Sequence, residues 1–237
     1  MNFKVIFLDI DPVLTHEWEK LLDSKLRRSK YNNRLYPSVV TQSITSAEFT
    51  QKFDCIVSPG NAFARMEGGL DLLITRFFTG KHGDEKKTLK YVQDQHHKRW
   101  RGLQPVGSCY LIDMLPHMNS NKCYNRFSCR YIAHSPTMRV PSRLWRYDII
   151  YDCMWSILNE VYNHNVNAGP KEQIQNLVVS GLGTGTGEMN KAVCAELMIE
   201  AYVQFLAALD RTADTTEEWQ WVLAKELDDK SCNFHNR

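Results

Sequence analysis

Apolar positions along the chain follow two alternating patterns. Short continuous apolar runs at residues 5–8, 37–40, 53–57, 105–112, 129–133 and 177–179 predict strands. Runs this short, with no polar alternation, fit a sheet covered on both faces. Helical spacing fills the intervals. Trp18, Leu21, Leu22 and Leu26 share one face of residues 16–28, and residues 70–78 follow a glycine pair into a predicted helix. Residues 84–100 predict a polar, exposed helix. Ile150, Cys153, Met154, Ile157, Leu158 and Val161 make the most regular stripe, and Cys194, Met198, Tyr202, Phe205 and Leu209 mark another long helix. Thr215 and Glu218 form a capping box that would open a last amphipathic helix over about 214–230, carrying Trp219, Val222 and Leu223. Residues 116–125 are polar and predict an irregular loop. Strands alternating with helices argue for one layered α/β domain with a mostly parallel sheet.

Composition narrows the function classes. The 237 residues are 43% apolar and 24% charged, with a net charge of +2. Acids and bases are mixed along the chain, so no overall field drives it toward nucleic acid or an anionic membrane. An anionic ligand must be held locally. The basic cluster at residues 96–101 contains one aromatic and reads as a solvated helix end. No apolar run approaches the roughly 18 residues needed to cross a bilayer. The first ten residues, interrupted by Lys4 and Asp9, read as a strand and not as a signal peptide. Seven cysteines without a secretory signal suggest a reducing compartment, cytoplasm or nucleus. Cys55, Cys109 and Cys194 lie in apolar segments and read as buried thiols. Cys123 and Cys129, with five residues between them, lack zinc-site spacing, and no metal site is expected. Oligomeric state is left open.

Two strands run into small-residue loops that precede helices. The first continues through Ser58-Pro59-Gly60-Asn61 to Gly68-Gly69-Leu70-Asp71. The second is Gly181-Leu182-Gly183-Thr184-Gly185-Thr186-Gly187. Ligands of α/β sheets gather at the carboxyl ends of strands. Glycines let successive backbone N–H groups face an anion, and the next helix adds its positive end. Two such loops could grip a diphosphate without a basic patch. Tight turns alone would also use these glycines, but four within seven residues exceed what one turn requires. No Gly-Lys-Ser or Gly-Lys-Thr is present, so the second loop is not a P-loop.

Ser58-Pro59-Gly60-Asn61 followed by Gly68-Gly69-Leu70-Asp71 resembles the first signature of macro domains. Val106-Gly107, Ile132-Ala133-His134-Ser135-Pro136 and Leu182 to Gly187 resemble that family's later segments in the same order. The resemblance implies a three-layer α/β/α sandwich with a mostly parallel mixed sheet, binding ADP-ribose in a cleft. In the branch it resembles most, it implies removal of the terminal phosphate of ADP-ribose 1″-phosphate, without a cofactor. Carried across by residue, it makes Asn61 a ligand or water contact, Asp71 a general base and His134 an acid or phosphate partner. Ser58, Gly60, Gly68, Gly69, Gly183, Thr184, Gly185, Thr186 and Gly187 would contact the ligand. Ser43 stands where many members carry an adenine-reading Asp. A binding module without turnover is the first alternative.

A second alternative comes from Phe7-Leu8-Asp9-Ile10-Asp11, which resembles the nucleophile motif of haloacid-dehalogenase-type phosphatases. Asp9 and Asp11 have the spacing that a Mg²⁺-dependent phosphoryl transfer needs. Pro12 replaces the usual glycine, and no later strand ends in paired carboxylates.

Overall fold

The computed structural model describes residues 1–26 and 36–210. The helix expected over about 214–230 lies outside the described residues. Within them, six strands alternate with six helices: β1 (Lys4–Asp9), α1 (Pro12–Leu26), β2 (Ser38–Thr41), β3 (Cys55–Ser58), α2 (Gly69–Thr79), α3 (Glu85–Trp100), β4 (Tyr110–Asp113), α4 (Leu115–Asn121), β5 (Tyr131–His134), α5 (Ile149–Asn167), β6 (Asn176–Val179) and α6 (Lys191–Leu209).

The strands form one sheet in the order β2-β1-β6-β3-β5-β4. All neighbours are parallel except β4, which runs antiparallel to β5 at the edge, with Tyr110 opposite His134 and Ile112 opposite Ile132. Alternate strand residues enter two separate cores. Val5, Phe7, Cys55, Val57, Leu177 and Val179 face α1, α5 and α6. Ile6, Leu8, Ile56, Val178 and Ile132 face α2 and α3. Burial on both faces explains why the strands read as unbroken apolar runs. The result is the expected α/β/α layering.

Three local expectations change. Residues 116–125 are not wholly irregular, because α4 occupies Leu115–Asn121. Asp113 Oδ1 accepts the Leu115 amide at 2.9 Å, Pro116 lies in the first turn, and His117 and Met118 are buried. Its polar residues hide a helix held by tertiary contact. The strand predicted over 105–112 is confined to β4, since Pro105 to Ser108 form a turn closed by the Ser108 amide on the Pro105 carbonyl. Cys55 and Cys194 are buried as expected, but Cys109 is only partly so. Helix α6 is long and apolar enough to cross a bilayer by length and composition. Here its apolar faces pack against α1 and α5.

Asp11 explains the start of α1. Its Oδ1 accepts the amides of Val13 at 2.9 Å and Leu14 at 3.4 Å, and Pro12 fills the first helical position, where no N–H is required.

Candidate functional site

The carboxyl ends of β2, β1, β6 and β3 lie side by side, and a cleft of about 680 Å³ opens above them. Its walls follow strand order. Ser43 and Ile44, after β2, lie at one end. Asp9 and Ile10, after β1, come next. Gly183 to Gly187, after β6, form a long lip, and Gly60, Asn61 and Asp71 close the β3 end. The two glycine loops of the sequence therefore meet across one cleft.

The β6 lip is main chain. Among the described residues, the amides of residues 182–187 donate to no other part of the chain. The loop is braced by its carbonyls and its underside. Gly181 donates to Asp9 Oδ2 at 3.0 Å, Met189 to the Gly183 carbonyl at 3.1 Å and Leu144 to the Gly187 carbonyl at 2.9 Å. Gly183 has φ of +71°, and a Cβ there would fall 2.5 Å from Leu144 Cδ1. Both the backbone conformation and the Leu144 contact exclude a side chain. Thr184 turns its hydroxyl inward to the Gly181 carbonyl at 3.0 Å, while Gly185 and Thr186 are exposed at the rim. A row of free amides in a braced loop is an anion nest.

The β3 end carries side-chain chemistry. Asp71 lies in the first turn of α2 and is 8% exposed. Ser58 donates its hydroxyl to Asp71 Oδ1 at 2.8 Å. Burial pushes the Asp71 carboxyl up to about 7, and the Ser58 hydrogen bond opposes part of that rise. Asp71 Oδ2 faces Gly60, where a Cβ would lie only 2.4 Å away. The absent side chain of Gly60 makes room for the carboxyl.

Several expected contacts are differently placed. Ser58 is fully buried and touches Asp71, not the cleft. His134 is also fully buried and does not line the cleft. Burial lowers its pKa to about 3, with neighbouring His96 a smaller cause, so the ring is neutral and is no acid near pH 7. Asn61 reaches the cleft, but its amide oxygen accepts from Phe63 at 3.1 Å and Arg65 at 3.4 Å, and its nitrogen donates to the Arg65 carbonyl at 3.2 Å. One amide hydrogen remains for a ligand. Gly68 and Gly69 are exposed on the lip at the α2 N-terminus, where Gly68 provides no side-chain cap. Gln104, which nothing in the sequence singles out, lies behind His134.

The haloacid-dehalogenase-type alternative finds no support. Asp9 Oδ1 accepts the Asp11 amide and Oδ2 the Gly181 amide, each at 3.0 Å. Asp11 caps α1 and pairs with Lys191. The two carboxylates are committed to holding α1 and the β6 lip together. Among the described residues, no three His, Cys, Asp or Glu side chains converge as a ligand set.

The sequence matches the family described as "Macro-like domain" over residues 3–211. Similar solved structures include the macrodomain of Mycobacterium tuberculosis DarG, at 15% identity and a TM-score of 0.49, covering 67% of this chain and 88% of that one. Another is a Trypanosoma brucei macrodomain in complex with ADP, at 18% identity and a TM-score of 0.46, covering 66% of this chain and 52% of that one. This chain thus spans about half the length of the Trypanosoma chain.

Proposed function

Because the chain belongs to the macro-like domain family, we propose that its cleft binds ADP-ribose and that it hydrolyses the terminal phosphate of ADP-ribose 1″-phosphate. The small-molecule ligand would lie along the strand order. Its adenine would rest near Ser43 and Ile44, its diphosphate on the amides of Gly183 to Gly187, and its distal ribose beside Asn61 and Asp71. A hydroxyl accepts a hydrogen bond more weakly than a carboxylate, so Ser43 would discriminate adenine less sharply than an Asp.

The observation that carries the catalytic reading is a buried carboxyl, pushed up to about 7, in the same cleft as the anion nest. A group with that pKa can hold a proton and release it at pH 7. The resemblance casts Asp71 as a base. Its raised pKa supports the opposite direction. In that reading water attacks phosphorus and the bond from phosphorus to the 1″ oxygen breaks. The Asp71 proton passes to that sugar oxygen, and the proton lost by water goes to the departing phosphate. The nest would hold the diphosphate still during the transfer.

The commitment of most of the Asn61 amide to its own loop favours a second reading, a module that binds ADP-ribose without turnover. Calorimetry with ADP-ribose tests the shared part of both readings. Phosphate release from ADP-ribose 1″-phosphate with excess chelator separates them. Binding without release leaves only the module, and no binding removes both.

A further inference from the structure

Behind the cleft, on the sheet face toward α3, lies a buried polar chain that the reaction above does not use. His134 ends β5 and is fully enclosed. Its Nδ1 lies 2.7 Å from Gln104 Oε1. The Gln104 amide cannot turn over. Its nitrogen faces three acceptors, the Ser108 carbonyl at 3.3 Å, the Ser108 hydroxyl at 3.1 Å and the His134 carbonyl at 3.2 Å. A flipped amide would set oxygen against two carbonyls and against a Ser108 hydroxyl whose proton is already donated to the Pro105 carbonyl at 2.6 Å. Oε1 must therefore face Nδ1, and because it can only accept, Nδ1 carries the proton. A neutral imidazole protonated at Nδ1 has a bare Nε2.

That bare nitrogen is buried and has no hydrogen-bond partner. A buried acceptor without a donor is costly and calls for an explanation. It shares the space beside Gly60 with a polar group. A Cβ on Gly60 would meet His134 Nε2 at 3.3 Å and Asp71 Oδ2 at 2.4 Å. The two atoms face the same small volume, which the glycine leaves open. Asp71 Oδ1 is already occupied by the Ser58 hydroxyl, so a proton on the carboxyl resides on Oδ2.

We propose that Gln104 is a positioning residue. By fixing His134 with its Nε2 lone pair toward Gly60, it turns the negative end of the imidazole toward the space that Asp71 Oδ2 faces and disfavours the carboxylate there. Ser58 donates to Asp71 and His134 donates to Gln104, while Asp71 Oδ2 and the bare Nε2 face each other across the space beside Gly60 without a direct bond. The opposite tautomer would present Nε2–H to Asp71 and stabilise the carboxylate instead. Burial raises the Asp71 pKa and lowers that of His134, so both groups are held toward their neutral forms beside this space. The other titratable groups facing His134 are His96 from α3 and Tyr110 from β4, each with its ring centre 5.9 Å away. Both are neutral near pH 7. Burial lowers the His96 pKa and raises that of Tyr110.

The inference deepens the reading of Asp71 as a proton carrier, but its test needs no substrate. Nitrogen NMR of the wild-type protein reports the His134 tautomer, and carbon NMR of the side-chain carboxyl follows Asp71 from pH 4 to pH 9. The expected result is protonation at Nδ1 with bare Nε2, and an Asp71 midpoint near neutral pH. In Gln104→Leu, Nδ1 loses its acceptor, the ring is free to take the other tautomer, and the Asp71 midpoint falls by about one pH unit or more. If that variant turns over substrate, the alkaline limb of its pH profile moves down by the same amount. A wild-type ring protonated at Nε2 overturns the proposal even if Gln104→Leu fails to fold. So does an Asp71 midpoint that ignores the loss of Gln104. An intact tautomer and midpoint without phosphate release would instead overturn the phosphatase reading alone.

Discussion

The two lips of the cleft come from loops of similar appearance, each rich in glycine and each following a buried strand, yet they are built for different tasks. Residues 182–187 present free amides, with side chains either turned inward or exposed at the rim. Residues 58–71 present a buried carboxyl backed by a hydroxyl, a neutral imidazole and a fixed amide. Glycine has opposite uses in them. Gly183 supplies a backbone conformation, whereas Gly60 supplies empty space for Asp71. One lip is suited to grip and the other to proton transfer, so substitutions should separate binding from turnover.

The largest separation is expected from Asp71→Asn. Asparagine can still accept from Ser58 but cannot pass a proton. Phosphate release should fall about 10²–10⁴-fold, while ADP-ribose affinity measured by calorimetry changes by less than about threefold. Equal losses in both would erase the division between the lips.

The same variant should reveal opposing pH effects. Between about pH 4 and pH 7 the folded chain keeps an Asp71 proton that the unfolded chain releases, so this group's contribution to stability falls as pH rises. Between about pH 3 and 6.5 the unfolded chain binds a His134 proton that the folded chain refuses, so that contribution rises with pH. The two slopes oppose each other in the wild type. Asp71→Asn should be more stable than wild type by about 4 kcal/mol at pH 8 and nearly equal to it at pH 4. Urea denaturation at the two pH values checks this, and a stability difference that does not change with pH would contradict it.

Gly183→Ala should act through the other lip. A side chain at φ of +71° and against Leu144 strains the loop. ADP-ribose binding is expected to weaken about tenfold or more, at a stability cost of about 1–3 kcal/mol. The Asp71 midpoint should stay where it is. The smallest effect belongs to Gly185→Ala. This glycine is exposed, its φ is not positive, and an added Cβ would meet nothing within 4 Å. Its stability should change by less than about 0.5 kcal/mol, and a large loss of binding there would show that the ligand needs closer approach at the rim than at Gly183.

The layered fold was legible because β1, β3 and β6 are buried on both faces and α5 repeats its apolar positions regularly. Helix α4 was hidden because its start depends on Asp113 and its packing on two residues in a polar segment. The glycine loops could be found from strand-to-loop patterning, and Asp71 from the resemblance to macro domains. The burial of Ser58 and His134 could not, because residue type does not reveal which side of a loop a side chain faces. Gln104 carried no local signal at all. Its role exists only because residues 104, 108 and 134 meet across the sheet edge.

The free amides of residues 182–187 have a consequence for how the cleft would respond to its medium. They present dipoles in place of mobile cations, and the nearby Arg65 is already matched with Glu67. Little condensed counterion would be released when an anion settles there. Affinity should therefore change only slightly with ionic strength, unlike a pocket lined with lysines, and the cleft would hold its ligand in brine nearly as well as in dilute buffer.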